Sequence, residues 1–196
     1  MELKRVLPNV LCQRRHRSLA YAGIGSSTIP PLELRLIADL GEVLARCGST
    51  LRGGGAPGAD LAFEVGCDRA EGRKQIFLPW EGFNNSLSCF RPPSKSAEFL
   101  ASFVHSKWSS CTEEAKMLHA RSCNQILGED LNNPVDLVLF WAPEKRGAIA
   151  GETAFTVNLA RRMEIPTVNL WHRERRAPWE ALVKAWEQYS LWYQAR

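Results

Sequence analysis

The chain has 196 residues, of which 45 % are hydrophobic and 23 % charged, with a net charge of +4. That length sets one domain as the expectation, and that composition excludes an intrinsically disordered chain. The longest purely apolar run, glycine excluded, is the six residues Leu137 to Ala142, far short of the roughly 20 that a membrane-spanning helix needs.

The predicted elements alternate between strand and helix. Leu19 to Gly25 is a short apolar run ending in glycine and reads as a buried strand. Ser26, Ser27 and Thr28 precede Pro30 and Pro31, a helix-start signal, and Leu32, Leu36, Ile37, Leu40, Val43 and Leu44 then recur at helical spacing up to Gly48. Ser49 to Arg52 is a second strand, running into the glycine-rich stretch Gly53 to Asp60 and a helix through Leu61, Ala62 and Val65. Gln75 to Pro79 reads as a third strand. Residues 81–110, rich in Ser, Pro and Asn with Phe83, Phe90 and Trp108 among them, form a long excursion with one short helix near 96–104. Glu113 to Leu127 is helical, Val135 to Trp141 is a strand apolar on both faces, and 143–150 is a loop. Glu152 to Met163 is helical, Ile165 to Leu170 is the last strand, and Trp179 to Tyr193 is an amphipathic helix.

This order predicts an α/β chain: a doubly wound, mostly parallel sheet with helices on both faces. Ligands of such sheets bind at the carboxyl ends of the strands. The polar, glycine-containing loops stand at those ends. The expected division is an N-terminal arm (1–18), the α/β domain (19–170) and the C-terminal helix (171–196).

The charge is uneven. The arm carries Lys4, Arg5, Arg14, Arg15 and Arg17 against Glu2, a net +4, and residues 171–196 carry a net +2. Basic ends on a mildly acidic body suit contact with a polyanion, or are no more than solvated termini. No secretory signal is legible, so the cytoplasm is the expected location, with no membrane partner. The cysteines Cys12, Cys47, Cys67, Cys89, Cys111 and Cys123 include no C-x-x-C pair. Neither a metal site nor a disulfide framework is expected, and no cofactor is assigned.

Three loops are candidates for chemistry. In the first, Gly23, Gly25, Ser26 and Ser27 allow close approach of a ligand to the backbone beside a helix start; a plain tight turn would look the same. In the second, Gly53, Gly54, Gly55, Ala56, Gly58 and Ala59 make a backbone-lined cradle suited to phosphate. It is not a P-loop, because no Gly-Lys-Ser/Thr closes it. Asp60 is either the N-cap of the next helix or a hydrogen-bond acceptor for a ribose. Glu64, one turn further on, lines the site or sits on a solvated face. In the third loop, Gly151, Glu152 and Thr153 open a helix and offer a second place for an anion, with Arg146 either a ligand group or a solvated cation. Arg121 and Asn124 lie on the helix before the strand at 135. Arg121 could clamp a phosphate bidentately or hold an ordinary partner, and His119 reads as structural.

The residues Tyr21 to Ser27, Gly53 to Glu64, Leu78-Pro79-Trp80 with Phe83-Asn84, Arg121 to Gly128, Asp136 to Trp141, Gly151-Glu152-Thr153 and Ile165 to Leu170 together resemble the Rossmann-like SLOG superfamily. Within it they are similar to the small DprA-like (DNA-processing protein A, Smf) proteins of phages and mobile elements, over about residues 19–170. The resemblance implies a protein that binds a nucleotide or single-stranded DNA and acts in DNA processing or recombination. The related LOG enzymes cleave the N-glycosidic bond of nucleoside monophosphates. Here Thr156 stands where their catalytic glutamate would fall, which leaves Glu64, Asp60 or Glu152 as the carboxylates for a glycosidase or transferase. Ser27 stands where the first loop of the family carries arginine. The aromatic residues Trp179, Trp186, Trp192 and Tyr193 of the last helix pack on the domain, make a homodimer contact or stack on bases.

Overall fold

The computed structural model of the chain describes residues 18–88 and 92–194, and of 185–194 the backbone alone. The basic arm, Cys12, Cys89 and Phe90 lie outside the described residues, as do the side chains of Trp186, Trp192 and Tyr193.

Five strands form one parallel sheet in the order β3-β2-β1-β4-β7: β1 (Ala20–Gly25), β2 (Thr50–Gly53), β3 (Arg73–Ile76), β4 (Leu137–Trp141) and β7 (Thr167–Asn169). β1 is central, pairing Tyr21 with Leu51 on one side and with Leu137 on the other. The sheet is covered on both faces, so β1 and β4 are apolar throughout rather than alternating with polar residues. Their alternation shows instead in which core each residue enters. Leu137, Leu139 and Trp141 join Ile37, Leu40 and Leu44 of α1 (Pro31–Arg46) and Phe63 of α2 (Ala59–Arg69). Val138 and Phe140 join Ala120, Cys123 and Ile126 of α4 (Glu113–Leu127) and Phe155 and Leu159 of α5 (Gly151–Arg162). The chain is thus the expected doubly wound α/β fold.

α1 and α2 cross at glycines. A Cβ on Gly66 would lie 1.9 Å from the Ala38 carbonyl oxygen, so only glycine lets α2 come this close. The excursion holds α3 (Lys95–Val104), whose N-cap Ser94 accepts from the Ala97 N–H, and two short 3-10 turns at Phe83–Asn85 and Trp108–Ser110. α6 (Arg173–Gln194) lays Trp179 and Val183 into the same core as α1, so packing on the domain is the role that Trp179 takes. Among the described residues no helix is long and apolar enough to cross a membrane.

Three elements differ from the sequence expectation. β3 runs 73–76 instead of 75–79. Phe77 still donates to the Gly53 carbonyl at 3.0 Å, but Phe77 and Leu78 then leave the ladder for the core. Their apolarity reflects burial, while pairing at this sheet edge falls to the polar Arg73, Lys74 and Gln75. α6 starts at Arg173 and carries Pro178 inside it instead of before it. The loop 143–150 contains an antiparallel hairpin, β5 (Glu144–Lys145) with β6 (Ala148–Ile149). Its turn residues Arg146 and Gly147 have φ of 50° and 78°, the positive pair of a two-residue hairpin turn.

Candidate functional site

The strand order reverses between β1 and β4, because β1 leads to α1 on one face and β4 to α5 on the other. Loops that diverge in this way leave a crevice at the carboxyl end of the sheet. The residues that build its floor are charged and buried.

Asp60 lies in the first turn of α2 and is 4 % exposed. Gly58, not Asp60, is the N-cap; its φ is +83° and a Cβ there would lie 2.2 Å from the Ser26 carbonyl oxygen. Asp60 instead ties the loops together. Its Oδ1 accepts the Gly25 N–H at 3.0 Å, and its Oδ2 accepts the Gly54 N–H at 3.1 Å and the Gln125 amide at 3.3 Å. The cap reading made from the sequence gives way to this one: the carboxylate accepts from two backbone N–H groups and from the Gln125 amide. Burial pushes the Asp60 carboxyl up to about 7, against the pull of Arg121 and of the two backbone N–H groups.

Arg121 is 2 % exposed. Its Nη2 donates to Glu152 Oε1 at 2.6 Å, and its Nη1 lies 3.7 Å from Asp60 Oδ2. A Cβ on Gly54 would fall 1.3 Å from that Nη1, so the glycine makes room for the guanidinium. The ring of Phe83 lies 6.0 Å from Arg121 Cζ. The charge is therefore committed to two carboxylates, and Arg121 is a strut between α4, α2 and α5 rather than a phosphate clamp. A polar cavity of about 30 Å³ beside Asp60, Arg121, Gln125, Glu152 and Thr156 has room for one water.

Above this floor opens a cleft of about 500 Å³. Gly25, Ser26 and Ser27 of the first loop and Ala56 and Pro57 of the second form one side. Lys145 and Ala148 of the hairpin and Gly151, Glu152 and Thr153 at the start of α5 form the other. Ser26 spends its hydroxyl in a local turn with Thr28, accepting from its N–H and donating to its carbonyl, both at 3.1 Å. Ala150 is the N-cap of α5 and supplies no side-chain acceptor, so the first-turn N–H groups of α5 are available at the cleft. Glu152 keeps 32 % of its side chain exposed and also accepts from Ser122 Oγ at 3.2 Å.

Other residues singled out in the sequence lie elsewhere. Gly23 packs within β1, where a Cβ would lie 2.6 Å from the Phe63 ring, and Gly53 is part of β2. Gly55 carries a positive φ of 63° in the second loop, and its carbonyl accepts from Asn84 Nδ2 at 2.8 Å, which ties the excursion to that loop. Ala59 is buried and donates to the Ser26 carbonyl at 3.2 Å. Asn124 caps the far end of α4, donating to the Gly128 carbonyl at 3.0 Å and the Glu129 carbonyl at 3.3 Å. Glu64 pairs with Lys74 at 2.9 Å and does not line the cleft, so it supplies no carboxylate there. Arg146 occupies the exposed hairpin turn. Lys145 went unnoticed in the sequence; the signal that could have found it is the Arg146-Gly147 turn, which places its neighbours on a hairpin beside the strand ends.

No family model and no curated protein matches the sequence. Solved structures do. DNA processing protein A from Helicobacter pylori, described for its single-stranded DNA binding mode, is 16 % identical with a TM-score of 0.45, covering 77 % of this chain and 64 % of that one. The molybdenum cofactor carrier protein of Chlamydomonas reinhardtii is 18 % identical with a TM-score of 0.48, covering 85 % of each chain. The chain thus spans somewhat less than two thirds of the bacterial structure.

Proposed function

We propose that the chain binds a nucleotide, free or as part of a single-stranded nucleic acid, in the cleft at the carboxyl ends of β1 and β4. The observation that carries this reading is that the open N-terminus of α5 and Lys145 share one wall of a cleft of about 500 Å³. Free backbone N–H groups at a helix start attract phosphate, and a lysine beside them supplies the counter-charge. The volume lies in the range of roughly 300–1,000 Å³ of small-molecule sites. Ser27, Ala56 and Pro57 at the other side leave a less charged wall for sugar and base. This fits a DprA-like protein of the phage or mobile-element type, with a part in DNA processing or recombination if the ligand is single-stranded DNA.

Thermal unfolding against nucleoside mono-, di- and triphosphates and a short poly-dT strand tests it. A ligand at about 100 times its Kd stabilises by about 2.7 kcal/mol. A shift with poly-dT that fades as salt rises favours the nucleic-acid form. A shift with small nucleotides alone favours a nucleotide binder, and no shift with either sinks the reading.

A second reading rests on Glu152, the partly exposed carboxylate at the cleft wall. Placed beside a ribose, it would stabilise the positive charge that develops when an N-glycosidic bond breaks, as a LOG-like glycosidase or transferase requires. Its bonds to Arg121 and Ser122 hold it in place for such a role. Incubation with nucleoside monophosphates that releases no free base rules out the glycosidase.

A further inference from the structure

A second cluster of chemically active side chains lies where α3, the turn after it and α4 meet. His105 is the C-cap of α3, Cys111 ends the turn Trp108–Ser110, and His119 sits in the second turn of α4. One ligand atom from each, two imidazole nitrogens and a thiol sulfur, all lie within 4.8 Å of one another. Cys111 Sγ is 3.7 Å from His105 Nδ1. In a tetrahedral zinc site with the usual bond lengths, a nitrogen and a sulfur ligand stand about 3.6 Å apart. Before any ring turns, that edge is therefore close to its metal-bound length.

The second observation is at His119, which is 9 % exposed and whose Nδ1 is buried with no hydrogen-bond partner. A buried polar nitrogen without a partner is costly, and buried groups in native folds are seldom left so. The remaining bonds in the cluster are weak: His105 Nδ1 accepts from the Lys107 N–H at 3.3 Å, and Cys111 Sγ donates to the Lys107 carbonyl at 3.5 Å. A metal would replace both.

We propose that His105, Cys111 and His119 form a zinc site, separate from the cleft, that clamps the end of α3 to α4 and leaves a fourth coordination position open. Two imidazoles and one thiolate are a borderline-soft set, suited to zinc and unsuited to magnesium or calcium. On binding, the Cys111 thiol loses its proton to solvent and the sulfur becomes the thiolate ligand. The two imidazoles now stack with their planes 29° apart, so they cannot both point a nitrogen at one ion. His119 is wedged against Phe155, with ring centres 4.5 Å apart. The half-buried His105 is therefore the ring that turns.

The test uses the full chain, reduced and stripped of metal, with cobalt(II) as the probe and zinc as the competitor. The expected result is a thiolate-to-cobalt charge-transfer band that saturates at one equivalent and is abolished by zinc. Cys111→Ser should remove the band, and His105→Gln should weaken binding by at least the about tenfold that even an outer-shell change costs. Both side chains are partly exposed, so these variants should keep the wild-type circular dichroism spectrum. Three results would overturn the proposal: no band, a band that survives in Cys111→Ser through another thiol, or full affinity in His105→Gln.

Discussion

At Asp60 one carboxylate accepts N–H groups from the ends of two neighbouring strands. Asp60→Asn would turn a donor toward one of them and should cost about 1–3 kcal/mol; an unchanged urea midpoint would contradict this. The pH dependence has a definite sign. The carboxyl holds its proton up to about pH 7 in the fold, against an ordinary value of 3.8. Between those values the folded state binds more protons than the unfolded one, so this contribution to stability is full below about pH 4 and is lost as pH rises through 7. The stability difference between wild type and Asp60→Asn, followed from pH 4 to 8, should shrink over that range. Arg121→Met leaves Asp60 and Glu152 facing each other without the cation and should destabilise by about 3–5 kcal/mol. Adding Glu152→Gln should restore part of the loss, which a double-mutant cycle would read as coupling. None of these pairings was legible in the sequence. Asp60 stands 35 residues from Gly25, and Arg121 stands 31 from Glu152, and no local spacing connects them.

Elements were legible where local chemistry and tertiary context agree. β4 reads from its sequence because a central parallel strand must be apolar on both faces, and α4 starts at Glu113 because Thr112 caps it, accepting from the Ala115 N–H at 3.2 Å. Their bounds shifted where pairing outweighs hydrophobicity, as in β3, and they were hidden where an element is two residues long, as in β5 and β6. The zinc cluster was hidden for another reason: its three residues come from three elements and match no metal spacing. Helix packing makes its own prediction. Gly66→Ala forces a methyl group against the Ala38 carbonyl oxygen at 1.9 Å, so α1 and α2 must part. The loss should reach at least the about 1–3 kcal/mol of ordinary overpacking, and a melting temperature equal to wild type would contradict the close crossing.

On the scale of the whole molecule, the sheet order creates the crevice, the buried charges fix the loops around it, and α5 and the hairpin present the groups proposed to meet a ligand. The side chain of Lys145 is exposed and makes no hydrogen bond or ion pair among the described residues. Lys145→Ala should leave the unliganded melting temperature unchanged and weaken phosphate-bearing ligands by about tenfold or more, the worth of a charge-assisted hydrogen bond. The most direct measurement is a titration of ¹⁵N-labelled protein with a nucleoside monophosphate, following the backbone amide resonances of the cleft. Saturable shifts at Gly151, Glu152 and Thr153, with smaller ones at Ser26 and Ser27, are the predicted result. Shifts confined to the basic ends of the chain, or none at all, would contradict a nucleotide site at these strand ends.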